Sequence, residues 1–298
     1  MSWLSMNEIT TFRWSFEEDV EHYQAAGYSS IGVWRQKIAD WGDERAVDLL
    51  ADSKLCVSNL MWAGGFTGSD GRTLAESVDD AADALRLAAA MQAGCLVIYP
   101  GGRNNHTFRH AGRLLRMALE DLLPLAEAVE VPLAIEPMHA ACAAEWTFLT
   151  DLSEVTELIA ELRTPFLKLA YDTYYCALDA GRTDLLVEAV PHLAVVHLAD
   201  RRLPPTSDQE RCPLGCGQLP LGELMATLLD AGYIGPFDVK LMGQEIETCD
   251  YWTLLEHSQQ AFAELFASAQ PWIPCASIYP PKPGFPGAPS VHWPRKVQ

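Results

Sequence analysis

The sequence predicts an α/β fold, a single (β/α)₈ TIM barrel followed by a C-terminal proline-rich extended arm. Three observations favour the barrel: eight short strand-like runs, helical segments between them, and about 250 residues of this alternation before the tail. The strands should be parallel, because each crossover between neighbours consumes a helix. An open doubly wound sheet is the alternative, but the first strand lacks its G-x-G-x-x-G turn.

Each element has its own signal. Ser15 with Glu18, and Thr73 with Glu76, form capping boxes that begin two helices, and Gly94 stands where a C-cap glycine belongs. The strands are predicted over residues 8–12, 30–34, 55–62, 95–99, 132–136, 166–171, 193–198 and 237–241. Further helices are predicted over residues 108–129, 152–162, 183–190, 221–231 and 251–267.

The end of the chain differs in composition from the rest. Eight prolines fall within residues 271–298, interleaved with aromatic side chains. We therefore divide the chain into a barrel, residues 1–269, and an arm, residues 270–298. An arm that bridges subunits is expected, which predicts a homo-oligomer, and an arm wrapped on its own barrel is the alternative.

The charge balance excludes several classes of partner. The net charge is −19, from 21 Lys and Arg against 40 Asp and Glu. Nucleic acid and anionic membrane are not expected as partners, because binding their phosphates needs clustered cations. We expect a cytoplasmic protein, since the chain has no run of 18 apolar residues and no signal-like N-terminus.

Ionisable side chains emerge at the ends of four consecutive predicted strands. Glu136, Asp172 and His197 follow strands five to seven, and Lys240 lies in the eighth. In a TIM barrel, functional residues collect at the C-terminal strand ends. One such residue alone is more often structural, but four in succession indicate a site.

Three of these residues suit a divalent cation. Glu136, Asp172 and His197 offer two carboxylates and one imidazole, which fit manganese, cobalt, zinc or magnesium. Such an ion could hold the adjacent oxygens of a hydroxy-ketone and stabilise an enediolate. A carboxylate beside it would then move the proton.

Five segments of the chain carry a family resemblance: AIEPMH, DTYY, VHLADRR, RCPLGCGQLPL and GPFDVKLMGQEIE. With them the chain resembles the sugar phosphate isomerase/epimerase group of xylose-isomerase-like barrels. That group includes ketose 3-epimerases, hydroxypyruvate isomerase, inosose dehydratase and, more distantly, endonuclease IV. The resemblance implies a small sugar or sugar phosphate as substrate, and a divalent metal held by Glu, Asp, His and a second Glu. The first three fall on Glu136, Asp172 and His197.

Three positions depart from that pattern. Lys240 stands in place of the second Glu, Tyr175 replaces a common His, and Cys216 replaces the Glu of a Gly-Glu-Gly loop. An ammonium beside Glu136 and Asp172 could stand in for the metal itself. We therefore expect the metal to be weakly bound or absent.

The lysine restricts the chemistry. Two-base epimerisation lacks its second base, whereas one-base isomerisation or β-elimination by Glu136 remains feasible. The first hypothesis is an isomerase- or epimerase-type enzyme of carbohydrate metabolism, with Glu136 as the acid/base and Lys240 stabilising the enediolate. The alternatives are a metal-free keto-sugar lyase and a sugar-binding or scaffold subunit without catalysis.

Several residues are candidate substrate contacts. The arginines are the best cations for a phosphate or carboxylate, and the tryptophans could stack on a sugar ring. A plain tight turn is the more frequent explanation for Gly101–Gly102, and phosphate binding by backbone N–H groups before the next helix is the alternative. The candidate contacts are His106, His139, Tyr175, Arg202, Arg211, Trp14 and Trp62.

Overall fold

Eight parallel strands close into a barrel in chain order, with β8 pairing back onto β1. The computed structural model describes residues 4–176 and 183–269. The predicted TIM barrel is therefore confirmed. The strands are β1 Leu4–Asn7, β2 Ser30–Trp34, β3 Cys56–Gly64, β4 Leu96–Tyr99, β5 Leu133–Ile135, β6 Leu167–Asp172, β7 Leu193–Leu198 and β8 Phe237–Val239.

Helices flank the barrel and follow the predicted alternation. Both capping boxes are present: the Ser15 and Thr73 hydroxyls accept from the backbone N–H groups of Glu18 and Glu76. The helices of the described ranges are α1 Phe16–Ala25, α2 Arg35–Trp41, α3 Asp43–Ser53, α4 Leu74–Ala90, α5 Phe108–Ala128, α6 Leu152–Leu162, α7 Thr173–Cys176, α8 Thr183–Ala189, α9 Leu221–Asp230, α10 Gln244–Glu247 and α11 Tyr251–Ala269.

The first strand lies earlier than predicted. Residues 8–12 form turns, and the strand is Leu4–Asn7. The β-branched run is typical of a strand, but the Thr10 hydroxyl instead bonds the barrel's last strand. It donates to the Val239 carbonyl (3.1 Å) and accepts from the Leu241 N–H (2.9 Å). Threonine hydroxyls that bond backbone in this way favour turns over sheet.

The eighth strand ends sooner than predicted, at Val239. Lys240 therefore lies one residue beyond it, at the C-terminal mouth of the barrel. Its backbone N–H still donates to the Leu198 carbonyl of β7 at 2.9 Å. This bond fixes the direction in which Lys240 leaves the strand.

Two further predictions concern the C-terminal arm and the membrane. Residues 270–298, the predicted arm, lie outside the described residues, so the predicted assembly through this arm stays a prediction. Among the helices of residues 4–176 and 183–269, none has the length and apolar character needed to span a membrane.

Candidate functional site

Four ionisable side chains meet in the buried mouth of the barrel. The Lys240 Nζ lies 2.7 Å from Glu136 Oε2, 3.2 Å from Asp172 Oδ2 and 3.4 Å from His197 Nδ1. Lys240 is 1% exposed and the other three are fully buried. The four predicted strand-end residues are thus brought together, with the ammonium among the others.

Glu136 is the most heavily bonded member of this cluster. Its carboxylate accepts from the Tyr99 hydroxyl and from the Lys240 ammonium, and it hydrogen-bonds His197 Nδ1. Burial alone would raise the pKa of Glu136, but the charges of Lys240 and His197 outweigh it and hold the pKa well below its ordinary value. Glu136 is therefore ionised at neutral pH and, in this state, a weak base.

Asp172 is held by a buried arginine. The two Arg211 Nη atoms donate to the two Asp172 oxygens at 3.1 and 3.0 Å, and Nη1 also reaches the Lys240 carbonyl at 3.1 Å. The guanidinium carbon lies 4.4 Å from the Tyr174 ring centroid and 4.8 Å from that of Tyr175. Arg211, predicted as a substrate contact, is placed here as the partner of Asp172.

A third buried carboxylate, that of Asp238, lies on the far side of His197. His197 Nε2 is 3.6 Å from Asp238 Oδ2, which accepts from the side-chain amides of Asn7 (2.6 Å) and Asn59 (2.9 Å). Neither asparagine was predicted as a site residue. Asn59 did carry a usable signal, because it is a polar residue inside the predicted strand 55–62.

The cluster has the donors of a metal site. Glu136, Asp172 and His197 each offer a ligand atom within 4.8 Å of the others, so this group could hold a metal ion. The donor types suit such an ion. The Lys240 ammonium, however, lies within 3.4 Å of an atom of all three, and both Asp172 oxygens already accept from Arg211. An ion at the same point would contact the ammonium.

A cavity of about 250 Å³ borders the cluster. Lys240 is the member of the cluster that lines the cavity, and Tyr99 and Tyr175, which contact the cluster, line it as well. Glu136, Asp172 and His197 do not belong to the wall. The wall is largely aromatic and apolar. Its residues are Ile9, Phe12, Trp34, Met61, Trp62, Tyr99, Met138, Trp146, Tyr175, Asp208, Gln209, Lys240, Met242, Gly243 and Glu247.

Trp62 lies at the centre of the aromatic wall. It stacks on Trp34 with centroids 6.4 Å apart, and it meets Trp146 and Tyr99 edge-on at 5.2 and 5.7 Å. Trp62 and Tyr175 are thus the predicted substrate contacts that line the cavity. Tyr99 and Trp146 were not predicted, although Tyr99 ends a strand and is aromatic, which is a usable signal.

Four predicted substrate contacts lie outside this lining. Arg202 forms an exposed ion pair with Glu245. The His106 ring contacts a backbone carbonyl at 3.2 Å, and His139 Nδ1 accepts a backbone N–H two residues later. Trp14 packs against an aromatic ring of α11 at 5.0 Å. None of the four belongs to the described residues that form the cavity wall.

The backbone N–H groups of Gly101 and Gly102, the alternative phosphate site, form hydrogen bonds within the chain. The Gly101 N–H donates to the Trp146 carbonyl at 2.8 Å, and the Gly102 N–H donates to the Glu145 carbonyl at 3.1 Å. The phosphate alternative is not supported, because an N–H that already donates within the chain is not free to bind phosphate.

Asp200 organises the loop after β7. Its carboxylate accepts four backbone N–H groups, from Arg201 (2.7 Å), Gly215 (3.1 Å), Gly217 (2.9 Å) and Leu219 (3.1 Å). This loop carries Cys216, one of the three departures. The Cys216 side chain is exposed.

The family assignment rests on a match over most of the chain. A family model described as xylose isomerase-like TIM barrel matches residues 20–260. The chain belongs to the xylose isomerase-like TIM barrel family. No curated protein matched this member of the family.

Solved structures resemble this xylose isomerase-like barrel. A protein from Sinorhizobium meliloti 1021 has a TM-score of 0.82 at 24% identity, over 88% of this chain and 98% of that one. The IOLI protein with a binding zinc atom gives 0.78 at 17%, over 90% and 99%. The 3-keto-D-glucoside 4-epimerase from E. coli gives 0.72 at 13%, over 90% and 100%. At these identities the likeness shows the fold alone.

Proposed function

We propose that this barrel is a carbohydrate-processing enzyme of the isomerase or epimerase type, which moves a proton beside a carbonyl group without a metal ion. One observation carries the proposal: the Lys240 ammonium lies among Glu136, Asp172 and His197 and also lines the cavity. The similar E. coli 3-keto-D-glucoside 4-epimerase supports a carbonyl-bearing sugar as the substrate class.

Lys240 supplies the positive charge that a divalent ion would otherwise supply. A substrate carbonyl oxygen that reaches the cavity wall can accept a hydrogen bond from its Nζ. When the neighbouring carbon loses a proton, negative charge develops on that oxygen. A fixed ammonium at this point stabilises the enediolate more than it stabilises the neutral ketone.

Glu136 is the proposed acid/base, and Tyr99 connects it with the cavity. Burial, together with the negative charge of Glu136, raises the pKa of Tyr99 well above its ordinary value, so the phenol keeps its proton. The Tyr99 oxygen takes the proton from the substrate carbon while its own proton passes to Glu136. The ammonium of Lys240 shifts from Glu136 towards the enediolate in the same step. The loss of that bond raises the proton affinity of Glu136 when it must accept.

A single base sets the class of reaction. Return of the proton to the neighbouring carbon, with transfer of the hydroxyl proton between the two enediolate oxygens, gives aldose–ketose isomerisation. Expulsion of a β-substituent, protonated as it leaves, gives elimination. Both reactions need a base on only one face of the enediolate. Epimerisation by two opposed carboxylates would need an acid at the position that Lys240 occupies.

The metal content of the purified protein tests whether Lys240 takes the place of a metal ion. We expect the purified wild type to hold far less than one metal ion per chain by elemental mass spectrometry. Lys240→Glu, which supplies the family's second Glu, should bind manganese or zinc stoichiometrically. A tightly held ion in every wild-type chain would contradict the proposal.

Hydrogen exchange in D₂O tests the reaction. A panel of ketoses and keto-glycosides, followed by NMR, should reveal one whose carbon beside the carbonyl exchanges with solvent. Glu136→Gln should abolish this exchange. Glu120→Gln, an exposed change on α5, should leave it intact. Exchange that survives the loss of Glu136 would overturn the assignment of the base.

A non-catalytic sugar-binding subunit is the second candidate. The observation that favours it is the saturation of the ammonium, which already contacts Glu136, Asp172 and the Tyr99 hydroxyl (3.3 Å). A site bonded in this way can remain closed. Ligand binding without any hydrogen exchange across the panel would favour this candidate.

A further inference from the structure

Most of the cavity wall is apolar and therefore suits an uncharged face of a ligand. Six of its residues are aromatic and three are methionines. Trp34, Trp62 and Trp146 form one continuous group, with neighbouring centroids 5.2 to 6.4 Å apart. Tryptophan rings present large apolar surfaces of the kind that cover the C–H face of a sugar. They offer little to a phosphate.

The cations near the cavity are already neutralised. Lys240 is the one cation among the described residues of the wall, and it contacts Glu136 and Asp172. Arg211 is paired with Asp172, and Arg202 with a glutamate at the surface. A phosphate that entered would lose its hydration without gaining a free cation, which is strongly unfavourable.

The cavity wall also carries negative charge. Asp208 and Glu247 line it, and neither forms an ion pair within residues 4–176 and 183–269; Asp208 accepts only a neutral amide, from Gln209 at 3.1 Å. Asp208 lies in the loop after β7, and Glu247 in α10 after β8. TIM barrels frequently bind phosphate with these two loops. Here the same loops place carboxylates.

We infer that the cavity takes an unphosphorylated carbohydrate against Trp34, Trp62 and Trp146, and that Asp208 and Glu247 exclude sugar phosphates. The inference rests on the proposed function for the carbohydrate class. It adds the ionic state of the substrate and two residues that determine it. Two carboxylates in the cavity wall repel a dianion, and added salt screens this repulsion because both side chains are at least partly exposed to solvent.

Matched pairs of ligands test this inference. The probes are ketohexoses and ketopentoses, each with its monophosphate, including D-fructose and D-fructose 6-phosphate. Binding is measured at low ionic strength from the indole N–H signals in ¹H–¹⁵N spectra, with Trp62→Phe used for assignment. The Glu136→Gln background prevents turnover. Binding therefore stands or fails separately from the hydrogen exchange that tests the proposed function.

We expect at least one free sugar to shift the indole signals and to bind at least tenfold more tightly than its phosphate. The double change Asp208→Asn and Glu247→Gln should lower that ratio about fivefold, and added salt should do the same. The control, Glu120→Gln with Asp121→Asn, removes the same charge from exposed positions of α5 and should leave the ratio unchanged.

Three results would overturn the inference. A phosphate that binds as tightly as its free sugar would contradict the ionic state. A control that lowers the ratio as much as the cavity double variant would remove the role of Asp208 and Glu247. A panel that leaves every indole signal unmoved would contradict the carbohydrate class itself, whatever the exchange experiment finds.

Discussion

At the scale of single residues, the decisive substitution is the one that places an ammonium where the family resemblance expects a carboxylate. Lys240 and Arg211 together balance the negative charges of the buried Glu136 and Asp172 carboxylates. Removing one partner of a buried ion pair leaves the other charge uncompensated. The lysine should therefore matter for folding as well as for chemistry.

Lys240→Met is expected to lower the free energy of unfolding by about 3–5 kcal/mol, because it leaves the buried Glu136 carboxylate without its cationic partner, whereas Asp172 keeps Arg211. Urea denaturation followed by circular dichroism measures the change. The control is Lys54→Met, at an exposed position. An equal loss in both variants would show that the buried charge balance is not the cause.

A second buried acid predicts a pH dependence of opposite sign to that of Glu136. Glu8 accepts from the Trp34 N–H at 2.7 Å, and burial, with the nearby Asp19 carboxylate, raises its pKa well above the ordinary value. Burial likewise raises the pKa of Asp19 to about 6, although Lys37 opposes this. Raised pKa values add stability below the unfolded-state values and lose it as the pH rises.

The wild type should therefore lose stability as the pH rises from about 4.5 through 6. Glu136 does not contribute in this range, because its lowered pKa acts only as the pH falls below about 4.5. Glu8→Gln keeps an acceptor for Trp34 but cannot ionise, so its unfolding free energy should fall less over the same interval. Thermal melts at each pH measure this. Parallel curves for the two proteins would contradict the prediction.

The sequence predicted which charged residues converge and that Lys240 would lie beside Glu136 and Asp172, but it did not predict the pairing of Asp172 with Arg211. Strand order placed Glu136, Asp172, His197 and Lys240 at one end of the barrel, because each follows an apolar run. Their partners come from elsewhere: Arg211 lies in a long loop, and loop conformation depends on packing that local patterns do not encode. Its buried pairing with Asp172 was therefore not predictable.

At the scale of elements, the long loop between β7 and α9 depends on one side chain. Asp200 accepts four backbone N–H groups of this loop, which also carries Arg211 to its pairing with Asp172. A methyl group at Gly217 would lie 2.1 Å from an Asp200 oxygen, so only glycine allows this approach.

Asp200→Ala should destabilise the protein by about 2–4 kcal/mol, because several N–H groups lose a charged acceptor. Hydrogen exchange at Gly215 and Gly217 should accelerate in the same variant. Asp200→Asn retains one acceptor oxygen and should show a smaller effect. Unchanged exchange in the alanine variant would show that the loop is held by other contacts.

Elements with a local signal were predictable, and those shaped by distant partners were not. Capping boxes at Ser15 and Thr73 involve residues three apart, so the sequence alone located both helix starts. The first strand was misplaced because Thr10 bonds Val239, more than 200 residues away. A local pattern contains no information about such a partner.

At the scale of the whole molecule, the arm of residues 270–298 remains our proposed means of assembly. Truncation after residue 269 should convert a homo-oligomer into a smaller species, measured by light scattering coupled to size-exclusion chromatography. The far-ultraviolet circular dichroism should keep the signature of the barrel. An unchanged mass would favour an arm that stays on its own subunit.

The position of Lys240 has a consequence for the life of the protein in a cell. A cation that belongs to the polypeptide cannot dissociate, exchange for a competing ion or be removed by a chelator. Under the metal-free function proposed above, the charge of the site is complete as soon as the chain has folded, with no later loading step. Its activity is then expected to persist when transition metals are scarce.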